Sequence, residues 1–311
     1  MTCQQTDNHL VLLEHLNFKV PFPVAESTIL DFFVQQLGCP ECPTGRLKVS
    51  SPVTGSLPEG TFKQMHVNLG LSQVHFEWCT GDGKPYFHPQ WLEGTVTIIV
   101  DHLESLAGRL KQRYYKDSIG NLIVTDPFGT TWVCKEADHT FKTQLLKFGE
   151  IRPGGVGKVL ALLRVDFDCQ VGVSKSIAKF YADSFNALAR KTSKGFEIET
   201  KVGQIISFNE TPFAPPANAY EIDTRYAIHM CFYVDNFEQH CRKMLSTFWV
   251  NPDYKIPPLN DNVLTTEGAL ERKQFRLKNI GPSWIFEHEI RDIYHPLSPF
   301  HHFLKQLKSK Y

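Results

Sequence analysis

A few short stretches carry side chains able to do chemistry. WIFEHEI (284–290) sets Glu287 and Glu289 on either side of His288 in a run that otherwise reads as a packed strand. Strand residues alternate faces, so the two carboxylates point one way and the imidazole the other, outward. Two carboxylates on one face suit a metal site, an acid–base site or a solvated face. In LLRVDF, Arg164 and Asp166 share a strand face by the same alternation. His229 stands alone in the apolar run YAIHMCFYV, where a hydrogen-bonded core histidine and a metal ligand are both open readings. Cys39 and Cys42 have CxxC spacing, but no second CxxC completes a zinc cage and the pair follows a helix; two loop thiols are expected. GxSxG, P-loop and HExxH motifs are absent.

The stretch after 289 crowds Arg291, His295, His301 and His302 together. Arg291 suits a substrate carboxylate or phosphate. Pro296 and Pro299 fix an extended path across a surface, which suits a contact in a homodimer.

The chain around these groups has 311 residues, 42% hydrophobic and 21% charged, enough for a large core and two ordinary domains. Lys+Arg and Asp+Glu both number 33, so no general attraction to nucleic acid or anionic membranes is expected. No apolar run reaches the ~20 residues of a membrane span and no signal peptide is recognisable. A cytoplasmic location, with the eight cysteines reduced, is the expectation.

The elements that must position these side chains form a repeat of strand, helix and two or three strands, appearing four times. The first copy has a strand at 12–21, a helix at 27–37 closed by Gly38, and strands at 46–50, 62–69 and 73–79. The second has a strand at 95–100, a helix at 103–114, and strands at 121–125 and 131–135 joined by the turn DPFG. RPGGVG (152–157) reads as a linker. The third copy has a strand at 160–169, a helix at 174–190, and strands at 196–202 and 204–210. A Pro/Ala stretch leads to the fourth: strand 226–234, helix 237–247, strands 273–279 and 284–290. Each unit is too small to bury its sheet alone, so units should pair and curve around a cavity. The expected organisation is α+β: a domain of two βαβββ units over 9–150, another over 158–295, and a tail over 296–311.

In order and spacing, LEHLNFKVP, DPFGTTWVC, AIHMCFYVDNF and FRLKNIGPSWIFEHEI make the chain resemble the vicinal oxygen chelate superfamily, from about His15 to Glu289. That superfamily includes glyoxalase I, methylmalonyl-CoA epimerase, extradiol dioxygenases and 4-hydroxyphenylpyruvate dioxygenase. The four-unit layout is most similar to the two-domain extradiol dioxygenases. The resemblance implies tandem glyoxalase-like domains and metal ligands on the first and last strands of paired units. Residue by residue, it implies His15 and His75 as ligands in the N-terminal pair, where Thr95 and Val133 replace the other two. It implies His229 and Glu287 in the C-terminal pair, where Arg164 replaces the third unit's His. His66 and Asn68 would line the same cup as His15 and His75, with Trp78, Tyr86, Phe87, His88 and Trp91 packed at its rim.

The function so implied is a metal-dependent enzyme, a dioxygenase, isomerase or lyase, using Fe, Mn or Zn on a small oxygenated substrate. Arg164 would orient an anionic group, and Glu289 or Asp166 would be a general base or third ligand. The competing expectation is a metal-free ligand-binding or scaffold protein in which Glu287 pairs with Arg164.

Overall fold

A computed structural model describes residues 8–50, 52–111, 113–138, 157–214, 228–249, 263–278 and 286–300. The linker before Gly157, the Pro/Ala stretch from residue 215, Trp284, Ile285, and the tail beyond 300 with His301 and His302 lie outside the described residues.

The fold is α+β, with four repeated units paired into two mixed sheets. The first unit contains β1 (Leu10–Lys19), β2 (Gln64–Leu69) and β3 (Ser72–Glu77). Its helix α1 (Ala25–Ile29) runs on as a π-helix over Leu30–Gln36 and ends at Gly38, φ +80°. The second unit has β4 (Gly94–Val100), α2 (Leu103–Leu110), β5 (Tyr115–Lys116), β6 (Leu122–Thr125) and β7 (Thr131–Glu136). The third has β8 (Val159–Cys169), α3 (Ser174–Phe185), β9 (Leu188–Lys191), β10 (Gly195–Glu199) and β11 (Ile205–Glu210). The fourth has β12 (His229–Val234), α4 (Phe237–Met244), α5 (Thr266–Arg272), β13 (Gln274–Lys278) and β14 (Glu287–Asp292).

Some expected elements are redrawn and others are added; the helix expected over 103–114 ends at Leu110, and β5 and β9 are new edge strands. Instead of reaching 190, α3 stops at Asn186, whose left-handed φ of +49° closes the helix so that 188–191 can form edge strand β9. The expected strand at 46–50 is only a bridge between Lys48 and Phe62. The added helix α5 is started by Thr265, whose hydroxyl accepts from the Gly268 amide.

The units do not pair with their sequence neighbours. The first sheet has the order β13-β14-β12-β1-β3-β2, joining the first unit to the fourth; the second, β5-β6-β7-β4-β8-β11-β10-β9, joins the second to the third. The stretches 9–150 and 158–295 therefore do not coincide with the sheets. Each seam is an antiparallel pair of first strands, β1 with β12 and β4 with β8. At the second seam Gly94, φ +133°, is obligatory: a Cβ there would lie 1.9 Å from the Asp166 carbonyl oxygen.

The helices sit between the sheets and share one core. Phe33 packs at an angle against Phe76 of the first sheet and edge-on to Trp132 of the second. From α3, buried at Ile177, Ala178, Tyr181 and Phe185, the Tyr181 ring meets Phe208 of the second sheet and Phe232 of the first. The apolar rows of both sheets, such as Leu16, Met230 and Ile290 in one and Val96, Val165 and Ile206 in the other, face this layer. No helix among the described residues is long and apolar enough to cross a membrane. The seven described cysteines are free and buried, and burial raises the Cys39 thiol.

His288 belongs to this buried layer and not to an outward face. It is fully buried, its ring stacks with Phe232, and its Nε2 lies 2.6 Å from the Tyr181 hydroxyl. Tyr181→Phe should therefore lower stability by about 1–3 kcal/mol, leaving a buried imidazole nitrogen without its partner. Urea denaturation of the two proteins checks this, and an unchanged midpoint would show that the bond contributes nothing.

Candidate metal centre

The opposite face of the first sheet is polar across all six strands. Register places Arg276 beside Glu289, Lys278 beside Glu287, and Glu287 beside His229. It continues from His229 to Asn17, from His15 to Gln73, and from His75 to His66. This face is nevertheless buried at His15, His75, His229, Arg276, Glu289 and Arg291. Part of its cover is local: the chain pairs with β2 at Glu41–Val67, then brings Gly45 onto the His66 ring, where a Cβ would lie 2.4 Å from the imidazole.

The central side chains are held by charge. Arg276 reaches Glu287 Oε1 and Glu289 Oε2, both at 2.8 Å, and lies 3.4 Å from His229 Nε2. Arg291 pairs with Glu289 Oε1 and approaches Glu14 Oε2 at 3.6 Å; its Nε donates to Gln274 at 3.1 Å. Burial alone would raise Glu289, but Arg276 and Arg291, helped by the His229 hydrogen bond, hold it well below the usual carboxylate range. Burial lowers His15 to about 4 despite Glu14, and burial followed by neighbouring His15 and His66 keeps His75 well below its ordinary value. Both imidazoles are thus neutral near pH 7, the form that binds metal.

Three potential ligands converge here. One ligand atom each from His15, His229 and Glu289 lies within 4.8 Å of the others. His229 Nε2 is 3.2 Å and His15 Nε2 is 4.0 Å from the same Glu289 oxygen. His15 Nε2 is buried without a hydrogen-bond partner. Two imidazoles and a carboxylate form a donor set suited to Fe, Mn or Zn. A second cluster, Glu14, His15 and Cys231, shares the other side of the His15 ring.

The four residues implied as ligands, His15, His75, His229 and Glu287, thus share one face of one sheet, where the resemblance had divided them between two domains. His75 stacks on His15 with ring centres 3.8 Å apart, and His66 stacks on His75 at 3.3 Å. Glu289 lies closer to His229 than Glu287 does, 3.2 Å against 3.9 Å, and reaches within 4.0 Å of His15; Glu287 stands nearer the rim, its side chain 13% exposed against 2% for Glu289. Arg164 and Asp166 are not in this group. They occupy the polar face of the second sheet, where Arg164 Nε donates to Asp166 at 2.8 and 3.0 Å and Nη1 reaches Glu197 at 3.2 Å. Asp166 also accepts from Thr95 and Asn209. The cation facing Glu287 is Arg276 and not Arg164. Nothing in the sequence spacing singles out Arg276, because its signal, a guanidinium one strand across from Glu289, requires the β13–β14 register. At the rim, Trp78 is buried with its indole N–H on the Phe62 carbonyl, whereas Phe87 is exposed.

The buried imidazoles set a pH dependence. Burial lowers His15, His240 and His295 to about 4 and His288 to about 3, against 6.5 in the unfolded chain. Between those limits the unfolded chain holds more protons, so stability falls as pH drops from about 6.5 toward 4, at about 1.4 kcal/mol per unit and group. Glu289 adds to the loss only at lower pH, below the usual range near 4.3, since its folded form resists protonation. Denaturant midpoints at about pH 7.5, 6 and 5 should decline in that order; a flat series contradicts the assignment.

No protein-family model matches the chain, and no curated protein is similar to it. Among solved structures it is similar to glyoxalase I from Zea mays, at 12% identity over 94% of each chain and a TM-score of 0.49. It is also similar to the cppA protein from Streptococcus pneumoniae TIGR4, at 10% identity over 91% of this chain and 98% of that one, TM-score 0.46. A putative glyoxalase family protein from Bacillus anthracis matches 42% of this chain with 98% of its own, at 16% identity and a TM-score of 0.30. Nothing about chemistry follows from likenesses of this size. By its own topology, four strand–helix–strand units joined through antiparallel first strands into two sheets, the chain has a glyoxalase-like fold of the vicinal oxygen chelate type.

Proposed function

We propose that the chain is a divalent-metal-dependent enzyme acting on a small oxygenated substrate at the polar face of the first sheet. The observation that carries this reading is the convergence of His15, His229 and Glu289, with His15 Nε2 buried and lacking a hydrogen-bond partner. These three would hold the ion, Fe, Mn or Zn by donor type. A bound ion would act as a Lewis acid on adjacent substrate oxygens. Arg276 fixes Glu289 Oε2 and, through its other arm, Glu287. Glu287, nearer the rim, is the group placed to take a substrate proton and return it. The burial of the surrounding face keeps water away from the reacting atoms.

A second reading, a metal-free binding or scaffold protein, is favoured by the Arg276 guanidinium, which already bridges both carboxylates as a cation. Elemental analysis and titration with iron(II), manganese and zinc separate the two. One ion per chain is expected, with His229→Ala and Glu289→Gln weakening it by about 100-fold or more, beyond the ~10–100-fold typical of outer-shell losses. Wild-type protein that takes up none of the three ions leaves the metal-free reading standing.

A further inference from the structure

We propose that Glu14 is a positioning residue for His15. On this proposal a bulge in β1 turns its carboxylate onto His15 Nδ1, so that Nε2 presents its lone pair toward Glu289. The inference rests on the metal reading above and assigns a role to a residue outside the ligand set.

A regular strand would send Glu14 and His15 to opposite faces. Against β12, however, Leu13 registers with Phe232 and His15 with Cys231, leaving Glu14 as the extra residue. Such a bulge re-aims side chains. The backbone of Leu13 is taken up from outside the strand pair: its N–H donates to Gln204 Oε1 at 2.7 Å, and its carbonyl accepts from Ser72 Oγ at 2.7 Å and Gln204 Nε2 at 3.2 Å. Gln204 comes from the second sheet's half of the molecule, so the bulge is anchored by the opposite layer.

Glu14 Oε2 then contacts His15 Nδ1. A carboxylate oxygen accepts, so the imidazole nitrogen donates, and Arg291 lies 3.6 Å from the same oxygen. With the proton on Nδ1, Nε2 is an acceptor, and it is this atom that is buried without a hydrogen-bond partner, 4.0 Å from Glu289 Oε2. Arg291 also pairs with Glu289 Oε1. One guanidinium therefore spans the carboxylate behind His15 and the carboxylate beside the ion position. Carboxylates that take the second N–H of a ligating histidine fix its tautomer and orientation in this way.

The test is the His15 tautomer in the full, metal-free chain, read by long-range nitrogen–proton NMR, together with cobalt(II) affinity. Wild type and Glu14→Gln, which keeps an acceptor oxygen, should show the Nδ1–H tautomer. Glu14→Ala should move it toward Nε2–H and weaken cobalt binding by about 10–100-fold, with the Gln variant intermediate or unaffected. An Nε2–H tautomer in wild type, or an unchanged tautomer in Glu14→Ala, overturns the proposal. So does a thiolate-to-cobalt absorption band abolished by Cys231→Ser, which would make Glu14, His15 Nδ1 and Cys231 direct ligands. Wild type that binds no cobalt overturns the metal reading, while the tautomer of Glu14→Ala still decides what Glu14 does.

Discussion

The Arg276 guanidinium between Glu287 and Glu289 is the interaction on which the first sheet depends. Ionised carboxylates inside a protein cost several kcal/mol each unless paired and hydrogen-bonded. Here Arg276 and Arg291 together meet Glu287, Glu289 and Glu14, and Gln274 takes the Arg291 Nε–H. With these pairs made, a sheet face of histidines, glutamines and acids can be covered as though it were apolar. Removing a single partner would leave a buried charge, so the network is all or nothing. The same pairing keeps Glu289 ionised beside the His15 imidazole, which burial keeps neutral. An ionised carboxylate and neutral imidazoles are the protonation states that a divalent ion requires.

That network exists only because distant parts of the chain share a sheet. His15 belongs to the first unit and Glu289 to the last, and the seam between β1 and β12 brings them together. Neither half of the chain holds the set alone. The seam is not plain pairing: the bulge at Leu13–His15 interrupts it, and Gln204 from the other layer absorbs the freed backbone groups. The geometry at His15 therefore depends on the docking of the two layers as well as on strand register.

Much of this was legible in the sequence, and what was not has a physical reason. The repeat of four units is written in local periodicity, and the first- and last-strand positions of His15, His75, His229 and Glu287 follow once the repeat is aligned. Which unit meets which is decided by non-local strand pairing, and a sequence read unit by unit places neighbours together by default. Glu14 was hidden by alternation itself, because a bulge suspends the period of two at that residue. His288 followed alternation correctly, on the opposite side from Glu287, but the far side of β14 is a helix-covered core and not solvent. The exchange of weight between Glu287 and Glu289 depends on side-chain reach across a twisted sheet, which residue spacing does not encode.

The second sheet shows how a different side chain at the seam changes such a face. Its seam of first strands is built on the same plan, yet Arg164 stands where the first sheet has a histidine, and Thr95 stands at the matching position on β4. A guanidinium has donors and no acceptor, so it answers the neighbouring acids directly: Asp166 and Glu197 close around Arg164. In the first sheet the arginines enter farther out, Arg291 on β14 and Arg276 on β13, and the seam positions remain imidazoles. The cation is thus covalently built into the centre of one face and displaced to the flank of the other. Among the described residues, the clusters of three potential ligand atoms lie on the face whose seam kept its histidines. One backbone plan therefore carries two polar arrangements, and the side chain at the seam position selects between them.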